Sequence, residues 1–344
     1  MSWQLGIEEL PALMAGSSLL GGGGGGDPAV LVPAVARGAR WPVEVHDVTE
    51  LDPATPCLSV GVGGSTVVTT ERLPGLDPFG PAIAAVERWL GVPVRTVCSS
   101  EMAGLNGVTA LPLAGERALV DADLLGRALP YLDQFSLFAD GMAGLVAAAS
   151  TGGDGVALVA NARPEDVERL MRAAMVAAGG WSGVVIGGFT VGDLAGHAIC
   201  GSMARALRLG RAWLQVDSVD PSAAEALGAA WLGSGRIVEL WRDAGDLRTV
   251  SVDVRTEDGG VMRVVSRSEH LACVVDGEPV ATAPDIIVVI DVVGRTPVAA
   301  DELRPGLTVA VLRLPPPTWW GAREDRLARV RPSRYGVLGT EVGR

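Results

Sequence analysis

Apolar positions in the first half of this chain alternate between a helical and a strand period; after residue 235 they keep to the strand period almost throughout. Leu5, Leu10, Leu13 and Met14 fall at helical spacing and predict an amphipathic helix over residues 2–20. Six glycines follow at 21–26, a composition that neither a helix nor a strand interior tolerates, so a loop is expected there. Asp27 and Pro28 then make a good N-cap and first-turn pair for a helix from about Ala29. Residues 42–48, carrying His46, read as a strand, and 58–70 as a strand, a glycine turn and the start of a further element. Ile83, Val86, Trp89 and Leu90 share one face of a helix over 78–90 that stops at Gly91, and 92–101 reads as a strand.

Further on, 155–162 predicts a strand, 163–180 a capped helix, 181–191 a strand, 192–216 one long apolar helix and 222–232 a shorter one. From Gly235 to Leu314, short apolar runs are punctuated by DAGD, EDGG, DGEP, VGRTP and RPG, the rhythm of an antiparallel sheet or small barrel. The expected fold class is therefore α/β plus α+β in two domains. An N-terminal α/β-type domain spans 1–165 and a C-terminal β-rich domain 166–317. A tail over 318–344, preceded by three prolines, is expected to run extended back across the first domain.

Composition narrows the chemistry. Only 4% of the 344 residues are aromatic against 48% hydrophobic, so Ala, Val, Leu and Gly must fill the core by close backbone approach. A net charge of −12 argues against nucleic acid and against anionic membrane as partners, and leaves a small-molecule substrate. All 28 basic residues are arginine, which excludes a Schiff-base lysine for pyridoxal phosphate and a phosphate-loop lysine. No Mg-binding Ser or Thr follows the glycines either, so no nucleotide is expected. Four scattered cysteines without a CxxC pair and an acidic start without a basic n-region fit a reducing, cytoplasmic setting.

Candidate chemistry concentrates between Cys98 and Met142. Glu101 falls at a strand end before the glycine-broken AGLNG, where it suits a base or ligand with Asn106 to orient it. Asp121 and Asp123, two apart, would share a strand face or a strand-end crevice. There they could bind a divalent cation, bind substrate N–H groups or raise one another's pKa; the alternative is a helix N-cap plus a first-turn acid. Arg127 could pair with Asp123 or offer its fork to a substrate carboxylate. The glycine loop, Gly24, Gly25 and Gly26 in particular, could wall the site or cradle an anion. His197 and Cys200, i and i+3 on the long helix, share a face as a metal pair would; a zinc site would then also draw on carboxylate or thiolate. The plainer reading of Cys200 is a small buried hydrophobe. Cys98, just inside the strand end before Glu101, could be a nucleophile, though buried and inert is the more frequent case; His270, beside Glu269 in a β-run, reads as structural.

SSLLGGGGGGDP, EMAGLN with ALPLA, VDADLLGRALP, PDIIVVID and RPSRYG occur in this order, and together they resemble the S-methyl thiohydantoin desulfurase family, which is associated with hydantoinase and oxoprolinase genes. The resemblance implies the same two-domain plan and a cytoplasmic hydrolase that replaces a ring S-methyl group by oxygen on a hydantoin-like five-membered ring. Glu101, Asp121 and Asp123 would then move protons while Asn106 and Arg127 hold the ring, with one divalent metal such as zinc left open. It also leaves open a homo-oligomer, a hydantoinase-type partner and, as the alternative function, a non-catalytic ligand-binding subunit of such an enzyme. The sequence departs from the family pattern at Ala103-Gly104, Leu125 and Leu129-Pro130-Tyr131, which implies a changed substrate around Arg127.

Overall fold

A computed structural model describes residues 1–75, 77–152, 154–242, 248–337 and 339–340. Two eight-stranded sheets organise it. The first runs Trp3–Leu5, Val43–His46, Ala118–Val120, Thr96–Ser99, Pro56–Gly64, Trp181–Thr190, Val146–Ser150, Val156–Ala160. Its four strands from Val43–His46 to Pro56–Gly64 are mutually parallel, and the flanking pairs are antiparallel. Parallel strands buried on both faces need near-continuous apolar runs, and the LSV and TVC stretches supply them. The second sheet is wholly antiparallel, ordered Glu278–Thr282, Glu269–Val275, Val261–Arg267, Thr249–Thr256, Ala230–Arg242, Thr308–Leu314, Ile286–Asp291, Thr296–Pro297. Its inner face is a core of Val, Ile and Leu from alternate positions, and the two-domain class expected from the periodicities is the one seen. Trp181–Thr190, placed by the sequence reading after residue 165, is hydrogen-bonded into the first sheet beside Pro56–Gly64.

The helices depart from expectation in three places. Residues 2–20 do not form one helix: Trp3–Leu5 pairs as an edge strand with Val43–His46, and Pro11 opens a helix over Leu10–Gly21. The single helix expected over 192–216 is two, Val191–His197 and Ser202–Leu214. Ala198 between them is extended, and Ile199–Cys200 pairs with Ala122–Asp123. Two short strands there satisfy backbone groups that a continuous helix would have kept for itself. The helix placed at 222–232 ends at Ala226, and the Ala230–Arg242 strand begins instead.

Helices Leu10–Gly21 and Ser202–Leu214 cross with backbones in contact. A Cβ on Gly16 would strike the Ala206 carbonyl, and one on Gly210 the Ala12 carbonyl. This is the small-residue packing that an aromatic-poor composition calls for. It also brings the start of Ser202–Leu214 beside the end of Ala118–Val120. The tail is not extended: Thr318–Gly321, Glu324–Ala328 and Pro332–Tyr335 are short helical turns. They bury Trp320, whose indole N–H donates to the Leu125 carbonyl at 2.9 Å. Among the described residues no helix is long and apolar enough to cross a membrane.

Candidate active site

Parallel strands place their carboxyl ends, and whatever follows them, along one edge of the sheet. Thr96–Ser99 ends there and Glu101 lies two residues on, in a loop stitched to its surroundings at several points. The Ser99 hydroxyl donates to the Glu101 and Asn106 carbonyls at 2.9 and 2.7 Å, and the Met102 N–H donates to Asp123. Asn106 is clamped to the neighbouring strand: its Oδ1 accepts from the Val62 N–H at 2.6 Å and its Nδ2 donates to the Val62 carbonyl at 2.9 Å. The same Nδ2 donates to Glu101 Oε1 at 2.8 Å, so Asn106 orients the carboxyl as the sequence suggested.

Glu101 and Asn106 line a cavity of about 550 Å³ between the two sheets, a volume ordinary for a small organic ligand. From the first sheet the wall is Gly61 to Gly64 and Ser100; from the second it is Val250, Ser268 and Glu269. Burial drives the Glu101 carboxyl up to about 8, against the opposing Asn106 hydrogen bond and with the help of the nearby Asp123 charge. At neutral pH this group holds its proton in a large share of molecules.

Glu269 is the residue that reading along the chain passed over. It opens the Glu269–Val275 strand directly after Ser268, which holds a left-handed φ of 68° that a non-glycine residue seldom adopts. Arg267 and Glu269 are cross-strand partners on either side of that single residue, so the turn is as tight as a hairpin can be. The Glu269 side chain is 1% exposed and its Oε1 has no hydrogen-bond partner. Burial raises it to about 8; the Arg127 charge opposes that shift and the Glu101 charge adds to it. The signal available in sequence was the SRSEH run, polar residues inside an otherwise apolar strand pair.

The glycine loop serves the site chiefly by letting backbones meet. Gly25, at φ 82°, accepts from the Leu105 N–H at 2.9 Å, and a Cβ on Gly104 would overlap the Gly25 backbone. Gly24 and Gly25 line the cavity, while Gly26 lies against Leu105 and Thr66 beside it. On the other side of the loop, the His270 N–H donates to the Gly22 carbonyl at 2.7 Å. His270 itself is buried between Ser266 Oγ and the Val298 carbonyl at 2.8 and 3.1 Å, and burial lowers it to about 4, so it is neutral and structural.

Asp121, Asp123 and Arg127 do not line the cavity. Asp121 accepts from the Met203 and Ala204 N–H groups at 2.7 and 3.2 Å, capping the helix Ser202–Leu214 from a distant strand end. Asp123 accepts from the Gly126 N–H at 2.9 Å as well as from Met102. Burial raises both carboxyls, Asp123 to about 7, in opposition to those N–H donors. Arg127 is fully buried and donates to three carbonyls: Ala128 at 3.1 Å, Asp285 at 2.5 Å and His270 at 3.2 Å. It thereby fastens the first domain to the second, with no bond to Asp123 and no face on the cavity. The altered residues next to it do face the cavity: Leu129, Pro130 and Tyr131 are all in its wall.

His197 and Cys200 do not share a helix face, because the helix ends at His197. His197 Nδ1 is 2.7 Å from Asp140 Oδ2, a carboxylate also held by Arg326 at 2.5 Å. Cys200 is exposed in the short strand, not the buried hydrophobe of the plainer sequence reading, although partial desolvation of its thiol and the Asp121 charge raise it to about 11. Among the described residues, no three His, Cys, Asp or Glu side chains gather as a metal site would need. Cys98 is buried, and its side-chain hydrogen bond with Cys57 together with that burial raises its thiol well above the ordinary range.

A crystal structure of a protein from Chromobacterium violaceum has the same fold, with a TM-score of 0.80 at 22% identity over 99% of each chain. No curated protein matches the chain. Family models for the S-Me-THD-like N-terminal domain and the S-Me-THD-like C-terminal domain match residues 8–161 and 162–342. Those two models together account for both walls of the cavity, the one carrying Glu101 and the one carrying Glu269, and the chain belongs to the S-Me-THD-like family, that of the S-methyl thiohydantoin desulfurases.

Proposed function

We propose that this protein is a hydrolase of a hydantoin-like five-membered ring, in the manner of an S-methyl thiohydantoin desulfurase or a biosynthetic variant of it. The observation that carries this reading is Glu101: a buried carboxyl, aimed by Asn106 into an inter-domain cavity and titrating at about 8. A general base works best when its pKa lies close to the operating pH, and burial brings Glu101 there from the ordinary carboxylate range. The ionised Glu101 takes a proton from water, and the hydroxide equivalent adds to the ring carbon that bears sulfur. Breaking the C–S bond then releases methanethiol, to which Glu101 returns the proton, and leaves a ring carbonyl, with the second proton of the water on the ring nitrogen. Gly61, Gly63 and Gly64 make a low wall against which a flat ring can lie.

Asp121 and Asp123 act as positioning residues in this scheme: they fix the loop and helix ends behind Glu101. The experiment is to incubate the purified chain with S-methyl thiohydantoins and follow methanethiol with a thiol reagent. In ¹⁸O-water the product carbonyl should carry the label. Tight binding of the rings without release of thiol or incorporation of label would replace this reading by that of a ligand-binding subunit. Metal analysis of the same preparation decides whether a divalent ion takes part.

A further inference from the structure

We infer that Glu269 is a second catalytic carboxyl, contributed by the β-rich domain, that protonates the ring nitrogen while Glu101 activates water. The inference rests on the reaction class proposed above but on different observations. Glu269 lies in the wall of the same cavity as Glu101, on the opposite sheet, so a flat ring between the sheets would have one of these two residues on each side. Its Oε1 is buried and unpartnered, which is costly for a group kept only for stability. The residue just before it, Ser268, holds a strained left-handed φ in the cavity wall.

The environments of the two carboxyls separate their roles. Glu101 accepts a hydrogen bond from Asn106, which favours its ionised form. Glu269 has no such donor at Oε1. The charged groups around it are Glu101, whose ionisation holds the proton on Glu269, and Arg127 and Arg267, which oppose that. The cavity wall adds Asp301, Arg172, Arg242 and Arg248. The singly protonated pair is the form the step uses, and the Asn106 hydrogen bond to Glu101 favours placing its one proton on Glu269.

The bookkeeping of the step closes. Glu101 carboxylate takes a proton from water as the C–O bond forms; the ring nitrogen takes the Glu269 proton as the C=N π bond opens. As the C–S bond breaks, sulfur leaves with the proton from Glu101. The new hydroxyl gives its proton to Glu269 and becomes the carbonyl. Both carboxyls return to their starting states, and the net change is ring plus water to oxo-ring plus methanethiol.

Two measurements test this on the full chain. Glu269→Gln should lower kcat by about 10²–10⁴-fold while the affinity for the oxo-ring product changes by less than threefold. An activity within threefold of wild type, in a preparation where Glu101→Gln is dead, overturns the inference and leaves the proposed reaction standing. The second readout needs no turnover: infrared titration of protonated carboxyls with ¹³C-labelled glutamate should show two buried steps above pH 6 in wild type. One of the two should remain in Glu269→Gln. Two unchanged steps in that variant overturn the inference. Should Glu269→Gln not fold, Glu101→Gln carries the same titration, and absence of a Glu269 step above pH 6 is equally decisive.

Discussion

Two pairs of buried carboxyls lie within one region of this molecule, and they are used in opposite ways. Asp121 and Asp123 are two apart in sequence, and backbone N–H groups hold them. Glu101 and Glu269 are separated by 168 positions and line one cavity from opposite sheets, and Glu269 keeps an oxygen without a partner. Burial raises all four. A raised pKa thus does not by itself distinguish a working carboxyl from a structural one. What does is the disposition of the oxygens: toward N–H donors that need an acceptor, or toward a space that a ligand can occupy.

The widest gap between the pairs should appear in turnover. Glu101→Gln is expected to reduce kcat by about 10²–10⁴-fold, whereas Asp121→Asn should leave activity per folded molecule within a few-fold of wild type. Measuring methanethiol release by both variants at equal folded concentration checks this. Equal losses would merge the two pairs into one site.

Stability should respond in the reverse order. Asp123→Ala leaves the Met102 and Gly126 N–H groups buried without an acceptor, each at a cost of about 1–3 kcal/mol. Chemical denaturation should show that loss, together with a drop in activity, because Met102 anchors the loop of Glu101. Asp121→Ala removes a helix cap and should cost about 0.5–2 kcal/mol.

Linkage gives the comparison a pH axis. The folded pKa of Glu101 lies at about 8, above the ordinary 4.5, so the native state binds the extra proton between those values. Its contribution is fully present below pH 4.5 and is lost as pH rises through 8. Glu101→Gln, which cannot ionise, should therefore unfold at a higher temperature than wild type at pH 8.5. The two curves should converge at pH 5. Wild type gaining stability from pH 5 to 8.5 relative to the variant would mean that Glu101 is ionised and paired in the native state.

Legibility in sequence followed locality. Glu101 with Asn106 could be read because a strand end, a carboxylate and a glycine-broken loop are consecutive, and the contact spans five positions. The β-rich half could be read because alternation and turn residues repeat at short range. Glu269 could not, since nothing within its strand says that the opposite sheet brings Glu101 to face it. Asp121 was ambiguous for the same reason: the helix it caps starts 81 residues later, at Ser202. The break at Ala198 was hidden by an apolar run with helical spacing on both sides, and it took pairing with Ala122–Asp123 to outweigh helix propensity there. Arg127 looked like a substrate fork because a lone buried arginine has no sequence signature for three carbonyl partners, two of them more than 140 residues away.

The smallest effect is expected at Cys200, and it is the sharpest check on the Asp121 side of the comparison. Cys200 pairs through its backbone with Ala122, between the two aspartates, so any hidden site there would include its sulfur. Its thiol is raised to about 11 and is therefore neither thiolate nucleophile nor ready metal ligand at neutral pH. Backbone pairing does not depend on the side chain. Cys200→Ser should accordingly change stability by no more than about 0.5 kcal/mol and leave turnover and metal content as in wild type. A variant that lost bound metal and activity together would show that Asp121, Asp123 and Cys200 form a working site after all. The distinction between N–H-held and cavity-facing carboxyls would then fail at its structural end.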